Sequence, residues 1–185
     1  MQQIYLDNAS TTFPKPQVVA DAVYQYITHA GTNISRGTCA TSSENLVYMT
    51  RELLCEFFGA EDSKNVIFTK NVTESLNIVI KGLLRSGNHV LVSAMEHNAV
   101  MRPLQQIGTK LTANNAPADA ITFSRIPCDA EGALRLDALP QLIRPNTKAI
   151  IMTHASNVCG TLQPLAEVDS FCQKHGLCFI VDSAQ

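Results

Sequence analysis

The sequence predicts an α/β domain with a largely parallel sheet covered by helices. Three observations predict it: short apolar runs rich in β-branched and aromatic residues, helical segments between them, and polar clusters directly after the runs. The runs are Val66-Ile67-Phe68, Val90-Leu91-Val92, Ile121-Thr122-Phe123, Ala149-Ile150-Ile151-Met152 and Leu177-Cys178-Phe179-Ile180-Val181. Unbroken apolar character of this kind belongs to strands buried on both faces. Helices are expected between the runs, over 74–84, 99–107, 136–143 and 165–175. Two more are expected before the first run, over 17–28 and 42–58. In the second of these, Leu46, Met49, Leu53 and Phe57 recur on one face. Residues 109–119 (TKLTANNAPAD) mix Asn, Pro and Ala without a useful period and are expected to be a loop.

Composition narrows the function classes. A chain of 185 residues, 45% hydrophobic and 16% charged, can bury a core and is not disordered. Its net charge of -2 provides no basic field for nucleic acid or an anionic membrane. No apolar run approaches the roughly 20 residues of a membrane helix. The opening MQQIYLDNAS lacks the basic and apolar regions of a secretion signal. A cytoplasmic location is therefore expected, with Cys39, Cys55, Cys128, Cys159, Cys172 and Cys178 as free thiols. The absence of a CxxC pair argues against a zinc ribbon or a thioredoxin-type site. No GxGxxG follows a strand of a βαβ unit, and no GxxxxGK[ST] is present. A dinucleotide-binding dehydrogenase and a P-loop NTPase are thereby excluded.

Ligands of open α/β sheets bind beyond the carboxyl ends of the strands. Four of the runs are followed by polar groups there: 69–75, 93–98, 153–157 and 182–185. Asn71-Val72-Thr73 opens a helix. Its free N–H groups and the Thr73 hydroxyl suit a phosphate, although Thr73 taken alone reads first as a plain helix cap, the commoner role. Asp182 ends an apolar strand, where a carboxylate wants a cation or several donors; a protonated ring nitrogen or a structural hydrogen bond would each serve. His97 can stack on an aromatic ring or move protons, or be an ordinary loop histidine. His154 reads as structural. Asn157 and Gln185 are amides able to reach a phenolic oxygen. Together, an anion site, a stacking ring, a carboxylate and two amides match the needs of pyridoxal 5′-phosphate (PLP).

Several stretches carry a family resemblance. They are Tyr5-Leu6-Asp7-Asn8-Ala9-Ser10-Thr11-Thr12, Arg36-Gly37, Ile67-Phe68-Thr69 with Thr73-Glu74-Ser75-Leu76-Asn77, Met95-Glu96-His97-Asn98, Thr153-His154-Ala155-Ser156-Asn157-Val158 with Gly160-Thr161, and Val181-Asp182-Ser183-Ala184-Gln185. In this order, spanning the chain, they resemble the cysteine desulfurases and related class-V aminotransferases. The resemblance implies an arm over 1–15 and, over 16–185, part of a three-layer α/β/α PLP-dependent transferase large domain. It assigns Val72 and Thr73 to the phosphate, His97 to stacking and proton transfer, and Asp182 to the pyridine nitrogen. Gln185 and Asn157 fall to the phenolic oxygen. Asn8 and Asn157 fall to the substrate.

The resemblance also implies an activity: transfer of sulfur from L-cysteine to an enzyme cysteine as a persulfide, releasing L-alanine, for iron–sulfur cluster assembly. A homodimer and a sulfur-acceptor protein come with it. A selenocysteine lyase or another aminotransferase on the same scaffold would share these motifs. Three positions depart from the family: Asn71 and Val72 stand where glycine and threonine are common, which removes one side-chain phosphate contact, and Cys39 stands where a histidine is frequent. Cys39 is not expected to carry sulfur. Family members continue past the equivalent of Gln185, with the Schiff-base lysine, a substrate-binding arginine, the reactive cysteine and a small domain. The residues given are therefore expected to be inactive alone, or a non-catalytic binding or dimerisation fragment.

Overall fold

The computed structural model describes residues 4–29, 42–112 and 120–185. Arg36, Gly37 and Cys39 lie outside the described residues. The chain divides into two compact units, Met1–Phe68 and Thr69–Gln185.

The first unit carries helices α1 (Gln17–His29) and α2 (Ser42–Phe57). The apolar stripe of α2 forms where its spacing predicts, but Leu46, Met49, Leu53 and Phe57 are all exposed. The run Val66-Ile67-Phe68 is not a strand, contrary to the sequence reading. Val66 is extended (φ -84°, ψ 109°), yet the run joins no sheet and Ile67 is 69% exposed. Apolar, β-branched composition makes a segment extended; only a ladder partner makes it a strand.

The second unit holds the sheet. Strands β1 (His89–Ser93), β2 (Thr122–Ile126), β3 (Thr147–Thr153) and β4 (Cys178–Asp182) stand in the order β2-β1-β3-β4, every neighbouring pair parallel. Helices α3 (Val72–Leu83) and α4 (Asn98–Thr112) cover one face, where Leu76, Ile80, Val100 and Leu104 meet Val90, Val92 and Ile151. The opposite face buries Leu91, Ile150 and Met152 against Leu139 of the single-turn α5 (Leu139–Leu142) and Val168 and Cys172 of α6 (Leu165–His175). Successive residues of a strand point to opposite faces. With a helical layer on each side, neither parity can be polar, and each buried aliphatic side chain contributes about 1.5–3 kcal/mol. This is the three-layer α/β/α arrangement that the apolar runs imply.

Two element boundaries depart from the sequence reading. The helix expected over 136–143 is a 3-10 turn, Leu136–Ala138, followed by α5. Pro140 has no N–H to donate to the Leu136 carbonyl, so an α-helix cannot run through from 136. Helix α4 continues to Thr112, so the first part of the expected loop is helical, and residues 113–119 lie outside the described residues. The spacing of Leu104, Ile107 and Leu111 extends the apolar stripe that far.

At the amino edge of the sheet, His89 is fully buried. Its Nδ1 meets the Thr147 hydroxyl at 2.8 Å and its Nε2 meets the Ser124 hydroxyl at 3.0 Å, tying β1 to both neighbouring strands. Burial, reinforced by the nearby Arg144, lowers its pKa to about 4, which keeps the ring neutral. No helix among the described residues is long and apolar enough to cross a membrane.

Candidate functional site

Because the strands are parallel, Ser93, Thr153 and Asp182 end β1, β3 and β4 at one edge. Three strands, rather than four, deliver polar groups there. The fourth cluster, 69–75, arrives along the extended segment that enters α3.

The first turn of α3 is capped in a way that leaves part of it open. Asn71 is the cap: its Oδ1 accepts the Glu74 N–H at 2.9 Å. In return, Glu74 Oε2 accepts the Lys70 N–H at 2.8 Å, a variant of the reciprocal capping box. The first intrahelical bond runs from the Ser75 N–H to the Asn71 carbonyl at 3.2 Å. The Val72 and Thr73 N–H groups have no partner among the described residues, and neither has the Thr73 hydroxyl. Thr73 is therefore not the cap. Two amides and a hydroxyl are left at the positive end of the helix dipole.

His97 is positioned by the start of α4. Its Nδ1 accepts the Ala99 N–H at 3.1 Å, and its carbonyl accepts from Val100 at 3.0 Å and Met101 at 3.2 Å. Nδ1 is thus unprotonated, and in the neutral ring Nε2 carries the proton. The ring is exposed. His97 and Thr73 line one cleft of about 440 Å³, shared with Asn77, Asn98, Arg102 and Gln106. That volume suits a small ligand.

Asp182, only 4% exposed, accepts the Ala184 N–H on Oδ1 at 3.1 Å. Its carbonyl takes the His154 N–H at 2.8 Å. Oδ2 meets no donor among the described residues. A carboxylate so placed is stabilised by a cation or a further donor. Asn157 rides on a turn fastened by the Gly160 N–H to the Ser156 carbonyl at 2.9 Å, and its amide is exposed, as is that of Gln185. Asp182, Asn157 and Gln185 do not line the cleft, although they share its sheet edge. Asn8 belongs to the first unit, where its Oδ1 accepts the Phe13 N–H at 3.3 Å.

Next to His97 in the chain is Glu96, to which the sequence reading gave no role. Its Oε1 accepts from the Ser93 hydroxyl and from the Thr153 N–H at 2.9 Å, which locks the ends of β1 and β3 together. Its Oε2 is buried without a partner among the described residues. Burial is the main cause that raises the carboxyl to about 7, with the negative charge of Asp182 adding to it. The adjacency to His97 was the one sequence signal for Glu96. A second unpredicted group is Cys159, an exposed thiol brought to about 7, chiefly by a hydrogen bond with Ser156 and then by Thr161.

The family model "Aminotransferase class-V" matches residues 4–185. A probable cysteine desulfurase of Vibrio cholerae is 34% identical over 188 residues, covering 98% of this chain and 44% of the relative. The apo structure of a cysteine desulfurase from Thermococcus onnurineus aligns with a TM-score of 0.85 at 29% identity, covering 98% of this chain and 44% of that one. A mutant of C-DES with glycine covalently linked to its PLP cofactor aligns with a TM-score of 0.71 at 25% identity, covering 96% and 46%. The chain thus spans less than half the length of these relatives.

Proposed function

Since the chain belongs to the class-V aminotransferase family, we propose that it carries the PLP-binding part of a cysteine desulfurase. The observation that carries this reading is the state of Asp182: a buried carboxylate that keeps one oxygen free of protein donors, at the edge where the open first turn of α3 also lies. The open oxygen is an acceptor at that edge, and a protonated pyridine nitrogen would meet it with a charge-assisted hydrogen bond.

The donor set fits the remainder of the cofactor. The Val72 and Thr73 amides and the Thr73 hydroxyl would hold the phosphate. His97, with Nδ1 committed to the Ala99 N–H, would face the ring and move a proton through Nε2. Asn157 and Gln185 would orient the phenolic oxygen, and Asn8 and Asn157 would border the substrate. Bound PLP supplies the electron sink that makes bonds next to the substrate amino group breakable. Glu96 holds together the ends of β1, which leads to His97, and β3, which leads to Asn157.

The names of the relatives support L-cysteine as substrate, with L-alanine and an enzyme persulfide as products. To the same reading belong a homodimer in the cytoplasm and a sulfur-acceptor protein serving iron–sulfur cluster assembly. Among the described residues of Thr69–Gln185, Lys70 is the lysine next to the first turn of α3. Lys81, Lys110 and Lys174 sit toward the C-terminal ends of their helices, and Lys148 at the start of β3. These residues by themselves would therefore hold the cofactor without a covalent link and would not turn over.

The test is sulfide release from L-cysteine by the complete protein supplied with PLP and a thiol reductant, alongside Asp182→Ala. Turnover by the wild type and its loss, by about a hundredfold or more, in the variant is the expected result. A wild type that neither binds PLP nor releases sulfide sinks the reading.

A further inference from the structure

Among the described residues, the phosphate site proposed above is lined by little positive charge. Only two amides of the α3 first turn are open, because Asn71 consumes the third at Glu74. Val72 brings no hydroxyl. The Glu74 carboxylate, bonded to the Lys70 N–H, adds a negative charge to the same turn. A phosphate carries close to two negative charges near neutral pH and is held best by charge-assisted bonds.

Across the cleft, Asn98, Arg102 and Gln106 recur every four residues along α4 and form one face. Thr73 and Asn77, also four apart, form the facing edge of α3. Arg102 is the one permanent cation lining this cleft. It is exposed and makes no hydrogen bond or ion pair among the described residues. His97 commits Nδ1 to accepting the Ala99 N–H, which leaves Nε2 as its open ring nitrogen.

We propose that Arg102 is a phosphate-binding residue, reaching across the cleft to the anion seated on Val72 and Thr73. This rests on the PLP reading above and adds the residue that neutralises the cofactor's phosphate. A planar guanidinium meets two phosphate oxygens at once, whereas a lysine at the same place would act as a point charge.

The experiment strips the complete protein of cofactor and measures binding of PLP and of pyridoxal, which lacks the phosphate, to the wild type, Arg102→Gln and Arg102→Lys by fluorescence titration. Arg102→Gln is expected to weaken PLP by about tenfold or more while leaving pyridoxal unchanged, and Arg102→Lys to recover part of the loss. Undiminished PLP binding in Arg102→Gln, or an equal loss of PLP and pyridoxal, overturns this inference while leaving the cofactor reading intact. A wild type that binds no PLP overturns both.

Discussion

Replacing Glu96 by glutamine should turn a nearly flat pH dependence of stability in the weakly acidic range into a rising one. The side chain of Glu96 is held by the Ser93 hydroxyl and the Thr153 N–H on one oxygen and is buried without a partner on the other. Its carboxyl lies at about 7, against 4.5 for an unperturbed glutamate. A raised folded-state value means that the native state binds the proton more tightly than the unfolded chain does. The stabilisation is complete below pH 4.5 and is lost as pH rises through 7. At about 1.4 kcal/mol per unit, this amounts to about 3 kcal/mol.

His89 pulls the other way. Its pKa falls from 6.5 to about 4, so its contribution is complete above pH 6.5 and is lost as pH falls toward 4. In the wild type the two slopes largely cancel. Glu96→Gln keeps an acceptor for Ser93 and Thr153 but never ionises, so it should leave the His89 slope alone, with stability rising from pH 4 to 6.5. Urea unfolding at half-unit steps from pH 4 to 8, on wild type and variant, reads the difference. A wild-type minus Glu96→Gln curve that stays flat across that range refutes the reasoning. Glutamine also buries an amide where Oε2 stands, which lowers stability by about 1–3 kcal/mol at every pH and leaves the slope untouched.

Two further outcomes follow from the same edge of the sheet. Alkylation with iodoacetamide at pH 7 should modify Cys159 first among the described thiols. Buried Cys172, raised to about 11, should resist until the protein unfolds; peptide mapping against time gives the order. Gly132→Ala should cost about 1–3 kcal/mol, because the residue sits at φ +86° and a Cβ there would lie 3.0 Å from the Cys159 sulfur. Adding Cys159→Ala should recover only the steric part, and a full recovery of the melting temperature would contradict the backbone argument.

What could be read from the sequence was whatever depends on neighbours along the chain. The runs that became the central strands β1 and β3 are apolar because both sheet faces are covered there, and that leaves a local signature, whereas the edge strand β2 keeps Ser124 and Arg125. Helix α6 was legible to both ends, closed by Gly176 at φ 63°. Val66-Ile67-Phe68 has the same composition and no partner, and composition does not report pairing. The first turn of α3 was visible as a helix start, but not which residue capped it: Asn71 and Thr73 are both good caps, and only the bond to the Glu74 N–H decides. Glu96 and His89 were invisible for a stronger reason. Their chemistry comes from Thr153, Thr147 and Ser124, residues 57, 58 and 35 positions away.

The most direct measurement is the structure of the complete protein with PLP bound. The account predicts the phosphate on the Val72 and Thr73 amides with Arg102 against it, the imidazole of His97 over the ring, and the pyridine nitrogen within hydrogen-bond reach of Asp182 Oδ2. A phosphate seated elsewhere, or a ring nitrogen turned away from Asp182, would contradict it.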